Sequence, residues 1–215
     1  MSLVLLGDYT MKFENTEVWG FEHAIRGMRN PMESWDKSDS FIKSPHNYYV
    51  IGENDFKLAQ TLIKAGPEHR KFLRQIFISV DITAPLYWWK EFDTYKVGTV
   101  ADSCSTMHKL KDTPITMDSF EMGDYCGFFE TPWKNLIALL EQCRKEFNET
   151  KDKRYWKELI RLLPESWLQK RTVTMSYENV ANMYSQRMNH KLTEWSKDFI
   201  QWADNLPYFK ELFTV

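Results

Sequence analysis

A chain of 215 residues with a net charge of −2 is long enough to bury one substantial core, and its charge balance argues against a nucleic-acid partner, which calls for a basic excess. Nine tryptophans within an aromatic content of 15% require deep packing, interfaces or stacking pockets. Cys104, Cys126 and Cys143 are too few and too dispersed for a disulfide framework or a closed zinc site, which favours a reduced, cytoplasmic compartment. No apolar run approaches the ~18 residues of a membrane span.

The chain opens with apolar–polar alternation from Val4 to Met11 and on to Phe13, which predicts a strand, although MSLVLLGDY also reads as a cloning remnant. A helix is expected over Trp19–Met28, ending ahead of Pro31 because a residue before proline avoids the helical region. Residues 31–48 are polar and rich in turn formers and read as a loop. Asp55 is the expected N-cap of a helix with Phe56, Leu58, Ala59, Leu62 and Ile63 on its apolar side, stopped by Gly66 and Pro67. The clearest strand is Phe72–Thr83, with Ile76, Ile78, Val80 and Ile82 on one face and Gln75, Ser79, Asp81 and Thr83 on the other. A helix from Pro85 to Tyr95 would stack Trp88, Phe92 and Tyr95. Residues 97–131 read as loops and short pieces. Helices are then expected at Trp133–Phe147 and Tyr155–Leu162, separated by a charged turn at Thr150–Arg154. A second strand follows at Gln169–Met175, then helices at Tyr177–His190 and Leu192–Asn205. There is no repeat, no linker, no G-x-G-x-x-G and no P-loop. Mixed helices and strands without βα alternation predict a single α+β domain over residues 1–215, a mostly antiparallel central sheet with helices around it.

Two segments carry a resemblance. FISVDITAPLYWWKEFDTYKVGTVADSCSTMH, residues 77–108, is similar to the central segment of the flavin-dependent thymidylate synthase (ThyX) family, in which a strand, an Ala-Pro step and an aromatic helix lead to R-H-R-x-x-S-x-N-E-x-S-x-R. LPESWLQKRTVTMSYENVANMYSQRMNHKLTEW, residues 163–195, resembles the family's C-terminal unit, from a Leu-Pro step through a strand to a helix ending in Arg and a later Trp. The likeness spans roughly residues 12–205 and rests on pattern and spacing more than on identity. It implies a ThyX-like fold, FAD as cofactor, a dUMP-like pyrimidine nucleotide as substrate and a homotetramer that builds its sites between subunits. The implied activity is the transfer of a one-carbon unit from a folate to dUMP with reduced flavin as hydride donor. The alternative is a catalytically inactive protein of this fold that binds a nucleotide or a protein partner.

The motif itself departs from the family. Its Arg-His-Arg stands here as Thr94-Tyr95-Lys96, its first Ser as Thr99, its Asn-Glu as Ala101-Asp102, its second Ser as Cys104 and its last Arg as Thr106. A family histidine in the preceding strand becomes Gln75. Carried over residue by residue, the resemblance places Asn182, His190, Lys96 and Asp102 with the cofactor. It places Arg187, Glu91, Cys104 and Arg161 with the substrate, and it assigns no catalytic side chain and no metal. Arginine suits phosphate because its planar fork makes two parallel charged bonds, so losing two such residues outright costs on the order of 3–6 kcal/mol of binding. Lys90, Lys109, Lys170 and Arg171 are candidates to compensate.

Plainer readings stand beside these. Arg187 also fits a buried arginine satisfied by acids, Asn182 a structural amide, and His190 a partner of a helix dipole. Cys104 fits a polar turn, unless helical spacing brings it to His108. Tyr87, Trp88, Trp89, Phe92 and Tyr95 fit core or subunit interface as well as a stacking pocket. The basic stretch 68-EHRKFLR-74 reads as the solvated approach to a strand.

Overall fold

The computed structural model describes residues 11–45, 48–123 and 126–213. In chain order the elements are β1 (Lys12–Trp19), α1 (Phe21–Met28), β2 (Phe41–Lys43), β3 (Tyr48–Val50), α2 (Glu53–Lys64), β4 (Phe77–Pro85), α3 (Leu86–Phe92), β5 (Val100–Ser103), α4 (Thr106–Lys109), α5 (Glu130–Thr150), α6 (Lys153–Leu162), β6 (Leu168–Ser176) and α7 (Tyr177–Arg187). A π-helical stretch (Glu194–Phe199) continues into α8 (Ile200–Asp204), and α9 (Phe209–Phe213) follows. No described helix is long and apolar enough to cross a membrane.

The main sheet has the order β1-β4-β6-β5. Its central pair is antiparallel: Thr174 faces Ser79 (3.5 Å) and Thr172 donates to Asp81 (2.6 Å), so numbers rise on one strand as they fall on the other. Period-2 alternation explains β4. Ile76, Ile78, Val80, Ile82 and Ala84 are buried, and Ser79, Asp81 and Thr83 are half-exposed.

The described residues fall into two compact units interleaved along the chain, and β1, β4 and β6 contribute to both. The first unit holds the described part of Met1–Glu14, then Asp81–Thr94 and Ala101–Thr172. Here the Ala84-Pro85 and Leu163-Pro164 segments meet: Leu86 N donates to the Trp167 carbonyl and Tyr87 N to that of Glu165, both at 3.1 Å. Trp88 and Phe92 stack at 5.2 Å, and Leu110, Ile115, Phe120, Leu140, Cys143 and Leu159 form a separate apolar cluster beneath α5 and α6. Burial pushes the Cys143 thiol up, with Glu158 adding to the effect.

The second unit holds Asn15–Val80, Tyr95–Val100 and the described part of Val173–Val215. Its core contains Ile25, Leu73, Tyr177, Trp195, Phe199 and Phe209. Gly20 occupies φ +95°, and a Cβ there would lie 2.2 Å from the Gln75 carbonyl oxygen, so only glycine lets β1 turn into α1 against this backbone.

Residues 4–10 of the expected first strand lie outside the described residues, and its end at Phe13 falls within β1. Several other expectations need correction. The stretch 31–48 is not all loop, because β2 and β3 pair antiparallel with Phe41 opposite Val50. Asp55 does not cap α2. The cap position is Gly52, and the Asp39 carboxylate accepts from Asn54 N (2.9 Å) and Asp55 N (3.1 Å). Asp55 itself is fully buried and accepts from Arg29 Nε (2.5 Å), Ser38 Oγ (2.6 Å) and Ser40 Oγ (2.6 Å). Phe72–Gln75 belongs to a 3-10 turn (Lys71–Gln75), where Phe72 and Leu73 are both buried. Pro85 is the last residue of β4 and the cap of α3, which stops at Phe92. Helix α7 ends at Arg187, three residues short of His190.

Candidate functional site

In the first unit the end of β5 and the start of α4 lie beside β6. Cys104 N donates to the Lys170 carbonyl (2.9 Å), and the Gln169 amide donates to the Cys104 carbonyl (2.9 Å) and to Thr106 Oγ1 (3.3 Å). Ser105 caps α4 by accepting from His108 N (3.2 Å). Because the helix begins only at Thr106, Cys104 and His108 do not share a helical face, and the Cys–His alternative falls.

This corner forms a cleft of about 330 Å³, lined by Cys104, Ser105 and Thr106 together with Lys12, Lys109 and Lys170. Three ammonium groups and several hydroxyls, against one carboxylate, Asp118, leave a net positive lining that suits an anion. They are not equally available. Lys170 lies 3.1 Å from Asp81 and 3.4 Å from Glu14, and the Asp81 bond, with a smaller one from Glu14, holds its ammonium above the ordinary lysine range. Lys109 is 3.4 Å from Asp112. Lys12 has no ion-pair partner among the described residues, which makes it the cation most ready for an incoming anion.

The remaining first-unit candidates do not line this cleft. Glu91 is half-buried on α3, and its carbonyl accepts from Thr94 Oγ1 (2.7 Å). Asp102 is exposed on β5, and Arg161 is exposed and paired with Glu158 on α6. Among the compensating cations, Lys90 is paired with Glu165 (2.7 Å). Arg171 donates to Asp93 (2.8 Å) and Gln169 (3.0 Å) and lies over Trp89 (4.2 Å). Lys109 and Lys170 are the two that reach the cleft.

In the second unit Arg187 is held by aromatics. Its Nε donates to the Tyr95 hydroxyl (2.9 Å), and its guanidinium carbon lies 4.8 Å from the Trp195 ring centre and 5.5 Å from that of Tyr95. The Tyr95 hydroxyl in turn donates to Gln186 Oε1 (3.0 Å). Tyr95 therefore leaves the expected stack with Trp88 and Phe92 and becomes the seat of Arg187. Trp195 sits in the π-helical stretch, whose extra residue in the turn re-aims side chains.

One turn earlier on α7, Asn182 Oδ1 accepts from Arg70 (3.0 Å), which also donates twice to Glu178 Oε1 (3.1 and 3.2 Å). Glu178 is 7% exposed, and its Oε2 has no hydrogen-bond partner among the described residues. A buried carboxylate oxygen without a donor is costly, so this position favours a ligand N–H. Nδ1 of His190 accepts from Leu192 N (3.2 Å), closing the turn after α7. Lys96 is exposed. Gln75 ends the 3-10 turn rather than standing in a strand.

Sequence reasoning missed Lys12, Glu178 and the partnership of Arg70. Arg70 lies within the basic stretch already noted at 68–74, and Glu178 stands four residues before Asn182 on the same helix face. Lys12 carries no local signal.

An antiparallel sheet bearing an Ala-Pro-to-helix unit hydrogen-bonded to a Leu-Pro segment, with helices around it, defines the ThyX fold. Comparison with solved structures bears this out. The flavin-dependent thymidylate synthase ThyX of Helicobacter pylori, complexed with FAD and dUMP, superposes with a TM-score of 0.70 at 16% identity over 94% of this chain and 97% of its own. A second structure of that enzyme with FAD and dUMP gives 0.68 at 15% identity over 95% and 99%. The UMP/dUMP methylase PolB of Streptomyces cacaoi, bound with 5-Br dUMP, gives 0.62 at 12% over 95% and 94%. No protein-family profile and no curated protein sequence matches the chain.

Proposed function

We propose that this chain binds a pyrimidine nucleoside monophosphate, with its phosphate in the cleft of Lys12, Lys109 and Lys170. The observation that carries the reading is that cleft, placed at Cys104–Thr106 on a fold whose solved neighbours hold dUMP or 5-Br dUMP. Lysines and hydroxyls replace the arginine forks of the family motif, so recognition rests on point charges and Ser/Thr donors. Part of the Lys109 and Lys170 charge is already spent on Asp112, Asp81 and Glu14, and binding should be correspondingly salt-sensitive.

The second unit offers groups that fit a flavin ring. Glu178 Oε2 is a buried acceptor lacking a donor, and the Asn182 amide offers an N–H beside it on the same helix. An acceptor next to a donor complements the imide edge of an isoalloxazine. Glu178 would orient that edge, Asn182 would accompany it, and Arg70 holds the Glu178 side chain in place through its two bonds to Oε1. A bound flavin would supply hydride. With it, one-carbon transfer to dUMP is the finer reading; Arg187, seated on Tyr95 and Trp195, is a separate candidate to hold an anionic group of a ligand within the second unit. Assembly as a homo-oligomer fits the exposed Val97, Val100, Phe128 and Phe129.

A second reading, nucleotide binding without turnover, is favoured by Thr94 and Thr106, which stand where the family carries arginines. Purified protein separates the two. Flavin absorbance that appears or grows on adding FAD, together with thermal stabilisation by dUMP, supports the flavoprotein. Colourless protein that takes up no FAD but is stabilised by dUMP supports the second reading, and the absence of both effects removes the proposal.

A further inference from the structure

A cleft of about 640 Å³ opens in the second unit, independent of the nucleotide reading. Its walls include five aromatic rings, Trp19, Phe21, Tyr48, Tyr49 and Tyr208, and two carboxylates, Glu22 on α1 and Glu211 on α9. Neither carboxylate is in an ion pair among the described residues. The cleft contains no lysine or arginine, and its His23 accepts at Nδ1 from Arg26 (3.1 Å), a bond that requires that nitrogen to be unprotonated.

The rings are fixed before any ligand arrives. Trp19 stacks on Phe77 (6.0 Å, 26°). Tyr208 packs edge-on against Phe21 (5.5 Å, 78°), and its hydroxyl donates to the Tyr49 carbonyl (3.3 Å). Tyr208 also adopts φ +59°, a left-handed conformation that costs an aromatic residue free energy and clusters at binding sites. The chain shows what these rings attract, since the Lys43 ammonium already lies 5.7 Å from the centre of the Tyr48 ring.

We propose that this cleft binds a small linear di- or polyamine. Aromatic faces attract ammonium groups, and two carboxylates on different helices of one cleft match a ligand with more than one charge better than a single cation. Preset rings reduce the ordering cost of binding.

The test is calorimetric titration of the full chain with spermidine, putrescine and choline at matched ionic strength. Saturable binding that is tightest for spermidine and weakest for choline is expected, falling on the order of tenfold in Tyr208→Leu and in Glu211→Gln. Glu22→Gln and Glu211→Gln are surface changes that keep the test available should Tyr208→Leu not fold. Glu68→Gln, on a different surface, is expected to leave the affinity unchanged. Absence of saturation, or equal losses in Glu68→Gln and Glu211→Gln, overturns the proposal and leaves diffuse counter-ion attraction as the account.

Discussion

Arg187 Nε donates to the Tyr95 hydroxyl at 2.9 Å, so Tyr95 is the platform for the arginine at the end of α7. This bond is one of several that tie the two segments that carry the resemblance. Tyr95→Phe keeps the ring under the guanidinium but removes the acceptor. The expected cost is about 1 kcal/mol of stability, readable in urea unfolding. Arg187→Ala also removes the stack with Trp195, so its urea midpoint should fall further than that of Tyr95→Phe.

Asp55 is a buried carboxylate held by Arg29, Ser38 and Ser40. Burial by itself would raise its pKa, but bonds from Ser38, Ser40 and Arg29 outweigh it and hold the carboxyl below the ordinary aspartate range. The folded state therefore prefers the ionised form. This contribution is fully present above the unfolded pKa and is lost as pH falls through the folded one. Urea midpoints of the native chain should fall as the buffer is acidified from about pH 5 toward pH 2, and Asp55→Asn should flatten part of that slope. Arg29→Ala leaves the carboxylate buried without its cation and should cost about 3–5 kcal/mol.

Arg70 and Glu178 should show coupling. Arg70→Ala strands a carboxylate that is already short of one partner, at an expected cost of about 3 kcal/mol. Adding Glu178→Gln removes the stranded charge, so the double variant should be more stable than Arg70→Ala alone. Simple additivity in a double-mutant cycle would show that the contact carries little.

Gly20→Ala places a methyl 2.2 Å from the Gln75 carbonyl oxygen in a left-handed conformation. Strain of about 1–2 kcal/mol plus a backbone clash should lower the melting temperature of this chain by several degrees. Gly66→Ala is the control: Gly66 has a similar φ of +107° but open space around it, so it should pay only the conformational part.

What the sequence revealed, and what it concealed, follows from range. The inward row from Ile76 to Ile82 was legible because a strand repeats every second residue, and Gly66 was legible as a stop because only glycine sits easily at its φ. Asp55 misled because a polar residue before an apolar helix resembles a cap, whereas its partners Arg29, Ser38 and Ser40 lie 15 or more residues away in sequence. Phe72 and Leu73 misled because two adjacent buried residues fit neither period, a pattern met by the tight 3-10 turn. The three-residue strands β2 and β3 are too short to show alternation. For the site, α4 supplied Thr106 and Lys109 within one readable stretch, but Lys12 joins them only through strand pairing, which no local pattern encodes.

The most direct test of the account is calorimetric titration of dUMP into the native chain and into Lys12→Ala/Lys109→Ala. Saturable binding that weakens with added salt, and a loss on the order of tenfold or more in the double variant, is the predicted result. Equal affinity in the two proteins, or no binding by the native chain, would contradict it.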